Sequence, residues 1–123
     1  VKSIMIPLLL LGGIALAGVA IGVYWKNIAK WLKNIWEKLP ASIKKDLQGA
    51  VALVQKVASV FKNIMKYYSY NSQTKKWNET IVTSEVNEND IPEHIRKNIQ
   101  NSSSNEVDIS AEIQEKLELS LNT

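Results

Sequence analysis

The one histidine, His94, stands beside Glu93, and the chemistry its residue type invites is metal ligation. A zinc site needs further Cys or His ligands, and the chain has no cysteine and no second histidine. His94 therefore reads as a surface residue. The serines 102–104 could supply a nucleophile, but no recognisable motif places a base beside them. No Gly-rich phosphate loop, nucleophile elbow or EF-hand pattern occurs, and the lack of cysteine removes thiolate chemistry and disulfide frameworks together. Asn78-Glu79-Thr80 and Asn101-Ser102-Ser103 fit the glycosylation sequon, a triplet that a chain rich in Asn, Ser and Thr produces by chance. With no catalytic residues, no cofactor site and no metal site to name, a non-enzymatic protein is expected.

Interfacial chemistry is what the residue types do offer. Over residues 25–39, Trp25, Ile28, Ala29, Leu32, Ile35, Trp36 and Leu39 share one helical face, while Lys26, Lys30, Lys33, Asn34 and Glu37 take the other. Such a helix suits a membrane interface, with Trp25, Trp31 and Trp36 at headgroup level and Lys26, Lys30, Lys33 and Lys38 toward anionic lipid. Pro40 ends it, and Ser42 can cap the next helix.

Before it, residues 4–24 carry no charged side chain for 21 positions, which as a helix reach roughly 31 Å, the thickness of a bilayer core. A single transmembrane helix over 1–24, acting as a signal-anchor, is expected, with Pro7 in its first turn. Lys2 alone precedes it and several lysines follow, so the N-terminus is placed outside and the C-terminus in the cytoplasm or the interior of a virus particle. A cleavable signal peptide cut after Ala15-Leu16-Ala17 is the rival reading. Gly18 and Gly22 form a GxxxG suited to helix packing.

A second amphipathic helix is predicted over residues 43–68, where Ile43, Leu47, Ala50, Val51, Val54, Val57, Ala58, Phe61, Ile64, Met65 and Tyr68 keep a 3-4 alternation. Tyr67-Tyr68-Ser69-Tyr70 and residues 77–86 are rich in aromatic and β-branched residues and predict a β-hairpin across a polar loop. Asp90-Ile91-Pro92-Glu93 has capping-box form and opens a short helix to about Gln100. After a polar linker over 101–105, Asp108-Ile109-Ser110 opens a second acidic helix whose stripe of Ile113, Leu117 and Leu121 is the expected partner-binding surface. Asp90-Ile91 and Asp108-Ile109 begin similar segments 18 residues apart, a match that two capped short helices reach independently.

The net charge of +3 hides a division. Up to Lys76, twelve lysines face only Glu37 and Asp46, a balance of +10; from Trp77 onward three basic residues face ten acids, a balance of −7. The acidic tail is therefore expected to lie on the lysine face of the second helix. Specific nucleic acid binding is not expected, because the basic half lacks Arg and its aromatics sit on the apolar face rather than between the lysines.

The fold class that follows is mainly α: a transmembrane helix (1–24), a basic amphipathic helical region (25–66) and an acidic soluble module (67–123) of a hairpin and two short helices. The expected function is a structural or interaction component of a membrane-associated assembly, a complex subunit or viral membrane component. Its partners would be anionic headgroups, other protein subunits or further copies of itself. A pore-forming or permeabilising protein of holin, toxin or bacteriocin type is the alternative.

Overall fold

The structure, a computed structural model, describes residues 22–121. In chain order it contains α1 (Val23–Lys38), α2 (Ala41–Asp46), β1 (Leu47–Val57), β2 (Val60–Asn71), β3 (Lys76–Val86), a 3-10 turn (Glu88–Asp90), α3 (Glu93–Asn101), β4 (Glu106–Asp108) and α4 (Ser110–Leu121). The strands form one antiparallel four-stranded sheet in the order β3-β2-β1-β4. The fold is thus mixed α/β, which corrects the mainly α expectation.

Residues 47–68, predicted as the body of a second amphipathic helix, are instead β1 and most of β2. Their apolar spacing fits a helical stripe, but Val51, Val54, Val57, Val60 and Ile64 are β-branched and stiff at χ1, which favours a pleated surface. Ala58 and Ser59 form a two-residue turn that sets Val57 opposite Val60. A helix would have left this strip seeking a partner; as a central strand β1 buries both of its faces, and every residue from Gly49 to Val54 is buried. The paired segments expected around Tyr70 and Trp77 are present, in register at Tyr70–Trp77, but β2 begins before the aromatic cluster that opens at Tyr67, at Val60. A domain boundary after residue 66 therefore falls inside a strand.

The described helices all pack on one face of the sheet. Trp25, Ile28, Leu32 and Ile35 of α1 meet Ala52, Val54, Phe61, Met65 and Tyr67. Ile91, Ile95, Ile99, Ile109 and Ile113 from the C-terminal third complete the same core. Each such isoleucine removed from water contributes roughly 1.5–3 kcal/mol. The acidic tail does dock, but through its isoleucines on the sheet rather than through its acids on a lysine face. Nor does Asp90 cap α3: the helix starts after Pro92, and no side chain bonds its first turn. Asp108 does act locally, its Oδ1 accepting from the Ser110 amide at 2.8 Å.

No helix among the described residues is long and apolar enough to cross a membrane. The transmembrane and signal-anchor expectation, and the single-pass orientation built on it, find no support there. Residues 4–21 of that expected helix lie outside the described residues.

Ser110 joins the two ends of this fold. β4 pairs with β1 for only three residues, and the chain then turns into α4. Past that point the Ile109 amide donates to the Ala52 carbonyl at 2.9 Å, and the Ala52 amide donates to the fully buried Ser110 Oγ at 2.8 Å. A side-chain hydroxyl thus satisfies a core amide that no strand residue reaches. Ser110→Ala leaves that amide unpaired, and a loss of about 1–3 kcal/mol in urea unfolding is expected. Ala58 holds φ at 57°, a region costly for a residue with a Cβ. Ala58→Gly is expected to raise the unfolding free energy in the same urea titration by about 0.5–1 kcal/mol.

Candidate interaction surface

The phase of the sheet is set at the Ala58-Ser59 turn. A two-residue hairpin makes Val57 and Val60 a hydrogen-bonded pair, so odd-numbered residues of β1 exchange backbone bonds with even-numbered residues of β2 down to Gly49 and Tyr68. Even-numbered residues of β1 then point the other way, as the Lys56 amide bonded to the Asn105 carbonyl and the Ala52 groups bonded to Ile109 and Ser110 show. Odd-numbered residues of β2 therefore serve β3, taking its even-numbered residues as partners, with Met65 opposite Val82 and Tyr67 opposite Thr80. What remains are the amides and carbonyls of Trp77, Glu79, Ile81, Thr83 and Glu85, which point away from the sheet. Among the described residues no strand pairs with them.

The same five residues carry their side chains on the face opposite the helices. Across that face Leu53 lies beside Ile64 and Thr83, Val51 beside Lys66 and Ile81, and Lys62 beside Glu85. Val51, Leu53 and Ile64 form a small second cluster with Tyr68 packed against it. Toward β3 the apolar surface becomes open, with Trp77 62% and Ile81 52% exposed. The Trp77 ring rests on Tyr70 at 5.1 Å between centroids, which fixes its position at the strand's start. Tyr68 bonds Glu79 across the strands; burial, then that bond and the carboxylate's charge, push its phenol pKa up.

Edge strands in monomeric proteins are commonly blunted by proline, a bulge, charged side chains or short length, and of these β3 has Lys76, Glu79 and Glu85. β3 has eleven residues in unbroken register with β2, no proline, and its one lysine at the first position. It is a long regular edge with two exposed apolar side chains.

The residues singled out from the sequence take other places. Trp25 is 5% exposed in the core, and Trp31 and Trp36 are half-buried against it. Lys26, Lys30, Lys33 and Lys38 stay exposed on the outer side of α1, so the lysines and the apolar face of that helix look in opposite directions. Lys44 sits over the Trp36 ring at 5.2 Å. Gly22 is the residue before α1, with φ at 94°, and Gly18 lies outside the described residues. Ile113 is 1% exposed in the core; Leu117 and Leu121 fall on the last turns of α4, where side chains are outside the described set. The structure brings Trp25 and Ile113 into one core and leaves the lysines apart from both. β3 was legible as a strand, and Trp77 and Ile81 on an otherwise Asn, Glu and Thr segment were the available sign of an exposed apolar face.

His94 Nε2 meets Glu112 Oε2 at 2.8 Å on the surface, a clasp between α3 and α4. A cleft of about 440 Å3 nearby is lined by Lys56, Glu88, Glu93, Arg96 and Lys97, where Lys97 pairs with Glu93 at 3.4 Å. Its charges are mixed and it gathers no nucleophile with a base. Among the described residues no group of three His, Cys, Asp or Glu side chains could hold a metal ion.

Tyr24 and Tyr67 are the buried titratable groups beneath the sheet. The Tyr24 hydroxyl donates to Asn63 Oδ1 at 2.8 Å. Burial pushes both phenols well above their usual range, and for Tyr24 the charge of Glu112 adds to the effect. A phenol raised in the folded state contributes stability that is complete below its unfolded value of about 10 and is lost as pH rises beyond it, at about 1.4 kcal/mol per pH unit for each group. In an alkaline titration, tyrosinate absorbance from these two rings is expected to appear together with loss of the circular dichroism signal, not before it. Compared with known protein families, curated proteins and solved structures, the chain matches none.

Proposed function

We propose that the chain is a non-catalytic interaction module that receives another polypeptide along the outer edge of β3, with the adjoining open face of the sheet as the second part of its footprint. The observation that carries this is the coincidence of backbone groups that no described strand pairs with and exposed Trp77 and Ile81 on one eleven-residue strand. Added strands draw affinity from main-chain hydrogen bonds and specificity from alternate side chains. Here both belong to the same five residues. Ile113, one residue of the stripe expected to bind a partner, is buried beneath the sheet.

A photo-crosslinking residue in place of Thr83 is expected to give a discrete polypeptide adduct in the protein's native cells, whereas the same probe at Lys33, on the outer side of α1, gives none. Equal labelling from the two positions, or none from position 83, would remove β3 as the interaction surface.

A further inference from the structure

We infer that the occupant of the β3 edge is β3 of a second copy of this chain, paired antiparallel about a two-fold axis at Ile81 to make a continuous eight-stranded sheet. This rests on the reading of β3 as the interaction surface and names its partner.

Outward backbone groups restrict the alignments. Antiparallel pairing requires odd-numbered residues to face odd-numbered residues, because only their amides and carbonyls point outward. Symmetry requires residue i to meet j and j to meet i. Centred on Ile81, all eleven residues of β3 find a partner. Ile81 then exchanges both bonds with Ile81 of the second copy, Glu79 faces Thr83, and Trp77 faces Glu85. Moving the axis to Val82 sets Glu79 directly against Glu85 twice, and like charges in direct opposition are destabilising. Moving it to Thr80 leaves the last two residues of each strand unpaired.

Charge at the ends agrees with the central register. The β2–β3 loop finishes with Lys75 and β3 opens with Lys76, and β3 finishes at Glu85-Val86 with Glu88 two residues on. Antiparallel alignment brings the basic end of one copy to the acidic end of the other, and the two-fold repeats the match. The exposed apolar side chains are used as well. Ile81 meets its own copy at the axis, extending the row of Val51, Lys66 and Ile81 across the seam. Trp77, already held by Tyr70, covers the aliphatic part of Glu85 of the second copy.

Thr83→Pro is a selective probe, because it deletes an outward amide without touching the β2 ladder, where Pro is tolerated in an edge strand. Two symmetric hydrogen bonds are lost in the pair, and the dimer dissociation constant is expected to rise roughly tenfold or more while Thr83→Ala leaves it near the native value. The full chain is used, in a mild non-ionic detergent that keeps its apolar residues 4–21 in solution, and mass is followed by sedimentation equilibrium. As a second readout, the chain has no cysteine, so Ile81→Cys introduces a single thiol. Across a hydrogen-bonded antiparallel pair the two Cα atoms lie about 5.5 Å apart, within disulfide range. Oxidation is expected to yield a covalent dimer from Ile81→Cys and far less from Glu85→Cys. A monomer at every concentration, association unchanged by Thr83→Pro, or equal cross-linking from positions 81 and 85 would overturn the two-fold pairing. If a different protein were then found joined to the probe at position 83, β3 would remain the interaction surface with another occupant; with no adduct at all, both readings fail.

Discussion

Val57 and Val60 are held face to face by a two-residue turn, and the phase of the sheet as far as the register shift between Leu47 and Gly49 follows from that contact. It decides that Ala52, Val54, Met65 and Tyr67 face the helices while Val51, Leu53 and Ile64 face away. It decides which edge of β1 is left for β4, and which amides of β3 are left for nothing inside the described chain. A slip of one residue would exchange the two faces, placing Lys62 and Lys66 under α1 and Met65 in water. The burial of both faces of β1 makes that slip costly, which is how a turn containing a strained alanine can still define a unique register.

Around that sheet the remaining elements act as cover. α1 contributes tryptophan and aliphatic side chains, and the last third of the chain contributes five buried isoleucines. These two contributions come from opposite ends of the described sequence and meet over the same strands. Where the cover is thin, single polar contacts complete it: Ser110 for the Ala52 amide, and Asn63 for the Tyr24 hydroxyl. Both are buried pairs, so each is worth more as a penalty avoided than as an attraction gained.

Among the described residues the helices cover one face only; the other face is buried at Val51, Leu53 and Ile64 and opens toward β3, whose outer edge pairs with no described strand. The described residues gather no catalytic or metal-binding constellation, whereas β3 offers ordered donors, acceptors and two large apolar side chains along a straight line. Rigid support distinguishes this edge from a mobile loop. Pairing with β2 along its whole length holds the outward groups in position before any partner arrives, which lowers the ordering cost of association.

Several features were legible in the residues alone. The amphipathic stripe of residues 25–39 is α1, Pro40 ends the helix path, the aromatic segments around Tyr70 and Trp77 pair, and helices begin near Glu93 and Ser110. These are local: period, proline chemistry and capping residues act over a few positions. Residues 47–68 form strands against the helical expectation because valine, isoleucine and alanine at 3-4 spacing satisfy a helical stripe and a doubly buried strand equally, and only the neighbouring strands break the tie. The tryptophans of α1 carry a similar ambiguity, since an apolar face is the same whether lipid or a sheet covers it; here the core takes Trp25, with Trp31 and Trp36 against it. Ser110 and Ala52, 58 residues apart, could not be connected by any local rule. By itself the sequence determined which residues must leave water and where the chain must turn. The tertiary structure decided what covers them and which backbone groups remain unpaired, because burial and strand pairing depend on partners distant along the chain.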